Sequence, residues 1–252
     1  MRRSVRLSFA TLLASVSLAG AASAADLATK APVYKAPPVV FTNWTGLFIG
    51  VEGGGGWGRD SLFFPGPLTV TGGFDTSGAV AGGVIGYNWQ TPGSSWVFGL
   101  EGNFDWADIK GTTICPNPAF DCRTKIDQIH TVTGRIGYAW DKVLVYGKGG
   151  YAWSNERAEV VLPGTGVIND ATGWTGRDGY TLGAGLEYMF VPNWSAKVEY
   201  DYYHFDGKTR AATSPAGVFV ENITMSSRDV NVVKAGINYH FNWSPSPVLA
   251  KY

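Results

Sequence analysis

The chain has 252 residues, 34 of them glycine, with 14% aromatic and only 16% charged residues, and its formal net charge is zero. That length allows one large β domain or two small ones, and the glycine-aromatic mixture suits strands and turns better than helices. Mean hydropathy is near zero, and no run of about 18 apolar residues follows the first 25, so a bundle of membrane helices is excluded.

Residues 1–24, MRRSVRLSFATLLASVSLAGAASA, have the form of a secretory signal. Arg2, Arg3 and Arg6 make a basic start, Leu7 to Gly20 an apolar stretch, and Ala22-Ser23-Ala24 a small-residue cleavage site. A retained membrane anchor fits less well, because small residues follow the apolar run at once. Cleavage falls after Ala24 or one residue later. The mature chain then holds 17 basic and 20 acidic residues. It lacks the positive stripe a nucleic-acid binder needs for phosphates, so no nucleic-acid partner is expected.

A Pro-rich segment, 25–43, precedes the first strand-like stretch. WTGLFIGVEGGGGW (44–57) places Leu47, Ile49 and Val51 on one face and Glu52 on the other, as alternation along an extended chain requires. GAVAGGVIGYNW (78–89) groups Ile85, Tyr87 and Trp89. WVFGLEGNFDW (96–106) is the sharpest case: Trp96, Phe98, Leu100, Phe104 and Trp106 share one side, and Glu101, Asn103 and Asp105 the other. By itself that pattern fits either a half-exposed strand of a soluble sandwich or a strand whose apolar face meets lipid.

Five further segments repeat the alternation: 129–140, 143–153, 179–190, 194–203 and 229–241. Their polar faces carry Arg135, Lys148, Glu187, then Lys197, Glu199 and Asp201 together, and finally Lys234. Each segment has about the 9–11 residues a tilted strand needs to cross a bilayer. Short links (QTPGSS, DK, VPN) alternate with long stretches at 58–77, 107–128, 154–178 and 204–228. Outer-membrane barrels have this asymmetry, with tight periplasmic turns and long external loops. The ten tryptophans fall at the expected strand ends and none at a strand centre. Soluble cores bury Trp centrally, whereas membrane barrels place it at the two water–lipid interfaces. The bilayer reading therefore wins: an all-β, eight-stranded antiparallel up-and-down transmembrane barrel over 44–243, with both chain ends in the periplasm and a short tail, 244–252.

Projected inward, the alternation collects Glu52, Glu101, Asp105, Glu187, Glu199 and Asp201 with Arg135, Lys148, Lys197 and Lys234. An eight-stranded barrel is only wide enough for side chains to fill it. Charges crowded there should pair, since an isolated buried charge is very costly. A salt-bridged plug is expected; a narrow ion path is the alternative. Cys115 and Cys122 bracket PNPAFD, and in an exported protein so close a pair reads as a disulfide, with no His or second Cys pair nearby to suggest a metal.

Taken in order, ADLATKAPVYKAPP, WTGLFIGVEGGGGWG, IGYNWQ, GRIGYAWD and VVKAGINYHFNW resemble the small outer-membrane β-barrels of alpha-proteobacteria. These are relatives in architecture of the OmpA transmembrane barrel, often described as outer-membrane immunogenic or porin-family proteins. The resemblance spans about the whole chain, weakest in the long loops. It implies outer-membrane lipids, lipopolysaccharide and the barrel assembly machinery as partners. Lys234, Gly236, Tyr239 and Phe241 look like that family's last-strand assembly signal, although residues continue beyond the final aromatic. Ala25-Asp26 and the prolines that follow resemble the amino termini by which some such barrels are joined to peptidoglycan. An extended 25–43 segment would reach about 60 Å at ~3.1 Å per residue. A leader with no partner is the other reading.

No enzymatic constellation stands out, and no cofactor is expected. Gly53, Gly55 and Gly58 match GxGxxG, but RDSLFFPGP follows where a dinucleotide site needs a helix. His130 and His204 are expected near the outer rim on the lipid face. His240 is expected at the periplasmic end facing inward. None has a serine and an acid at a spacing that reads as a triad. Phe63, Phe64, Phe120 and Phe219, in the long loops, either touch lipopolysaccharide or a host molecule or pack within the loops.

Overall fold

The structure is a computed structural model that describes residues 42–241. The signal segment, Ala25, the Pro-rich stretch up to residue 41, Trp243 and the tail lie outside the described residues. Within them every regular element is a strand: β1 (Gly46–Asp60), β2 (Leu62–Phe64), β3 (Thr69–Val70), β4 (Phe74–Gln90), β5 (Trp96–Ile114), β6 (Asp121–Trp140), β7 (Val143–Val161), β8 (Ile168–Ala171), β9 (Thr175–Val191), β10 (Trp194–Phe205), β11 (Lys208–Thr213), β12 (Phe219–Met225) and β13 (Arg228–Phe241).

Eight of these close on themselves. The ring runs β1–β4–β5–β6–β7–β9–β10–β13 and returns to β1, every pairing antiparallel. Closure removes sheet edges and pairs the backbone amides between strands, as a hydrocarbon environment demands. The short turns between staves are tight. Asp141 in the Asp141-Lys142 link and Asn193 after Pro192 have left-handed backbone (φ 50° and 69°), a conformation that short polar side chains tolerate best.

The outward face carries a belt of apolar residues. Phe98, Leu100 and Phe104 are each about half exposed, between Trp96 and Trp106. The 10 residue steps from Trp96 to Trp106 rise about 33 Å along the strand, or about 25 Å once a stave tilt near 40° is taken into account, which is the height of a membrane band.

The staves are longer than the alternation of apolar residues suggested. β5 runs to Ile114, β6 begins at Asp121, and β7 continues to Val161. Trp57, Trp106 and Trp153 thus mark the membrane boundary on the long-connection side from inside their strands, not at strand ends. Beyond Trp106 the outward positions become Asp108, Lys110 and Thr112, all exposed. The hydrophobic face stops where the lipid stops, while the hydrogen-bonded ladder continues into water. Most of the four polar stretches are accordingly sheet. β8, β11, β12, β2 and β3 continue from β7 in one hydrogen-bonded series above the ring. The disulfide Cys115–Cys122 ties the β5–β6 tip, with Cα atoms 5.0 Å apart.

Candidate functional site

The interior is a stack of layers set by the inward positions of each stave. Nearest the short turns lies an apolar floor of Trp44, Val97, Ala139, Leu144, Tyr146 and Met189. Trp44 is fully buried, and its indole N–H donates to the Asp141 carbonyl at 3.2 Å. It therefore seals the lumen, a correction to the expectation that this tryptophan lies at the lipid interface. Its position before β1, where the chain enters the ring, lets it swing inward. Trp57, Trp89, Trp96, Trp106, Trp140, Trp174 and Trp194 remain exposed on the outside.

Above the floor sit all ten charged residues of the expected set, none more than 6% exposed. Arg135 bridges Glu101 and Glu187 at 3.0 Å each, and its guanidinium lies over the rings of Tyr146 (4.1 Å) and Phe48 (5.1 Å). Lys148 reaches Glu101 (3.0 Å), Glu199 (2.5 Å) and Asp201 (3.3 Å). Lys197 holds Glu52 at 2.6 Å. Lys234 contacts Glu52 (2.6 Å), Asp105 (3.1 Å), Asp201 (3.3 Å) and Glu199 (3.8 Å). Asn103 adds two further side-chain bonds, donating to Glu52 and accepting from Thr131. Each cation is surrounded by carboxylates, so attraction offsets the loss of water. Gly183 permits one such approach: a Cβ there would stand 2.2 Å from Asp201 Oδ1 and 3.1 Å from the Lys148 Cε.

A second apolar layer of ten residues, among them Ile109, Ile126, Ile129, Tyr203 and Phe205, lies over the charges. Above it comes an ion cluster that the sequence reading did not anticipate. Arg228 pairs with Asp60 (2.6 Å) and Glu156 (3.1 Å), and Arg177 with Glu156 (2.9 Å). Arg177 also donates to the carbonyls of Phe205, Asp206 and Ser226, anchoring the last long connection. The signal was present. Asp60 shares the parity of Glu52, Glu156 that of Lys148, Arg177 that of Glu187, and Arg228 that of Lys234. Ending two strands at Trp57 and Trp153, and starting two others at Gly179 and Asp229, cut the pattern short. The top layer packs Leu62, Phe64, Ile223 and Met225 around the disulfide.

Histidine positions follow the expected faces. His130 lies between Phe104 and Trp153, and His204 stacks on Tyr180 and contacts Asp229. His240 is buried at the floor, and there the sequence reading missed a grouping. Ser195 Oγ is 2.8 Å from His240 Nε2, and the Glu187 carboxylate contacts both. A catalytic relay needs the acid on one ring nitrogen and the hydroxyl on the other. Here both meet Nε2, under Trp44 and Phe48, with none of the three residues more than 1% exposed. The cluster is a hydrogen-bonded link between β9, β10 and β13.

Lys234 and Gly236 of the last stave face the lumen and its wall, while Tyr239 and Phe241 form an aromatic pair outside, with Trp194 5.1 Å from Tyr239. Gly53, Gly55 and Gly58 lie along β1, which enters no helix. Phe64 is buried and Phe120 packs against the same cluster, so these two serve the loops themselves, whereas Phe219 is 58% exposed.

Closed ring, lipid-facing belt, aromatic girdles and ion-paired interior define an integral β-barrel membrane protein. The match to known proteins is specific: the outer membrane protein beta-barrel domain family covers residues 10–241, and the chain belongs to that family. It is 32% identical to the 31 kDa outer-membrane immunogenic protein of Brucella melitensis over 91% of this chain and 98% of the relative. It is 27% identical to the 25 kDa outer-membrane immunogenic protein of Brucella canis, over 87% and 91%. Among solved structures, OprG from Pseudomonas aeruginosa aligns over 79% of this chain and 98% of its own, with TM-score 0.47 and 14% identity.

Proposed function

We propose that this outer-membrane barrel is a closed, mainly structural element of the envelope, neither a pore nor an enzyme, with both chain ends in the periplasm. One observation carries the reading: the lumen is filled from floor to top by apolar layers enclosing a buried ion network, with Trp44, Lys197 and Lys234 each at most 2% exposed. Conduction at this strand number is limited by width, and paired charges held by several partners leave no file of mobile ions. Purified protein in planar bilayers is expected to give no discrete openings; reproducible unitary steps would overturn the closed reading.

The same proposal assigns partners. Lipids and lipopolysaccharide contact the aromatic belts. The assembly machinery reads Lys234, Gly236, Tyr239 and Phe241. Ala25 joins the barrel to peptidoglycan through the Pro-rich leader. Peptides released from purified cell wall should include one beginning at Ala25; their absence removes the covalent link and leaves the barrel itself intact.

A further inference from the structure

The sheet beyond the membrane borders a half-open pocket of about 330 Å³ between the β2–β3 turn, the β5–β6 tip, β8 and β12. Its walls combine two kinds of chemistry. Phe64, Phe120, Pro67 and Pro116 supply apolar surface, and Asp170 and Glu221 supply carboxylates. Asp170 is only 1% exposed. Its Oδ1 accepts from Asn169 at 2.9 Å, but its Oδ2 has no hydrogen-bond partner among the described residues. Among the described residues neither carboxylate has a Lys or Arg within ion-pair distance, in contrast to the acids of the lumen.

A buried carboxylate oxygen without a partner is costly, and two acids sharing a cavity repel each other. The geometry points to a binding site for a small aliphatic amine, its ammonium group held by Asp170 and Glu221 and its hydrocarbon lying on Phe64 and Phe120. Three arguments favour an organic cation over a bare metal ion. The cavity is far larger than a coordination sphere. Calcium takes six to eight oxygen ligands, and only two acids converge here. Half the wall is apolar, which suits a methylene chain and, through the ring faces, a cation beside it. Burial raises both carboxyls above their usual range, and at Glu221 the neighbouring Asp170 raises it further. An arriving ammonium would reverse both effects.

This inference goes beyond the structural role and is independent of whether the lumen conducts. The test is isothermal titration of the full-length protein, folded in detergent micelles, with 1,4-diaminobutane at neutral pH. Saturable binding is expected, weakened about tenfold or more by Asp170→Asn and by Glu221→Gln. Folding of each variant is checked by heat-modifiable migration in gels. Glu221 is partly exposed on a surface hairpin, so its variant remains informative should Asp170→Asn misfold. Absence of binding up to millimolar amine, or binding unchanged in Glu221→Gln, overturns the proposal. Calcium chloride titrated alone and binding more tightly than the diamine would overturn it in favour of a metal site.

Discussion

Replacing Lys234 by Met tests the view that the lumen holds together by charge pairing. The ammonium lies within 4 Å of four carboxylates, Glu52, Asp105, Glu199 and Asp201. Glu52 keeps Lys197 and both Glu199 and Asp201 keep Lys148, but Lys234 is the one cation within ion-pair distance of Asp105 among the described residues. The ten-residue network has six acids and four bases, formally −2; Lys234→Met takes it to −3, inside a volume that excludes water. Removing one partner of a buried pair costs about 3–5 kcal/mol, most of it from the charge left behind. Adding Asp105→Asn restores the balance, so the double variant should recover about 2 kcal/mol relative to additivity. Urea unfolding of the refolded barrel in lipid vesicles, followed by tryptophan fluorescence, measures both quantities. Refolding from purified chain also separates stability from any role of Lys234 in assembly. If Lys234→Met lies within about 1 kcal/mol of the parent, or the two substitutions simply add, the ion network is not what holds the interior together.

Other consequences follow from individual contacts. Gly183→Ala forces a Cβ against Asp201 and Lys148 and should cost about 1–3 kcal/mol in the same urea assay, whereas alanine at the open Gly134 should cost far less. Cys115→Ser removes a bridge closing a short loop, worth about 2.5 kcal/mol in the chain-entropy account. Its effect should appear as faster proteolysis of the β5–β6 tip, with the membrane-embedded staves unchanged. Burial raises the carboxyls of Asp170 and Glu221 in the folded state, so that state binds protons more readily than the unfolded one. Stability from this source is full below the unfolded pKa and is lost as pH rises through the folded pKa. Amide exchange in β8 and β12 should therefore show more protection, after correction for intrinsic rates, at mildly acidic than at neutral pH, and Asp170→Asn should flatten that dependence.

How much of this was legible in the residues is clearest along β7. The alternation of Val143, Val145, Tyr151 and Trp153 against Lys148 identifies the stave and its lipid face, because lipid on one side and packed lumen on the other impose opposite chemistry on adjacent residues. That two-sided constraint sets strand number, facing and the ten interior charges. It ends at Trp153, where the outer face of the strand leaves the lipid and becomes polar while Ser154, Glu156 and Ala158 on the inner face stay buried. Glu156, eight residues and so four pleat repeats beyond Lys148, therefore looked like part of a loop although the ladder continues through it.

Partner choice was the other matter beyond reach. Parity says that Lys234 points inward, but it says nothing of how high Lys234 stands relative to Asp105, because that depends on the stagger between β13, β1, β4 and β5. The meeting of His240 with the hairpin pair Glu187 and Ser195, and of Asp170 with Glu221, likewise joins strands distant in the chain. Local chemistry alone determined which way each side chain faces, since that is a contest between lipid and water at one residue. Only the closed ring decided which groups meet, because closure couples the registers of all eight staves at once.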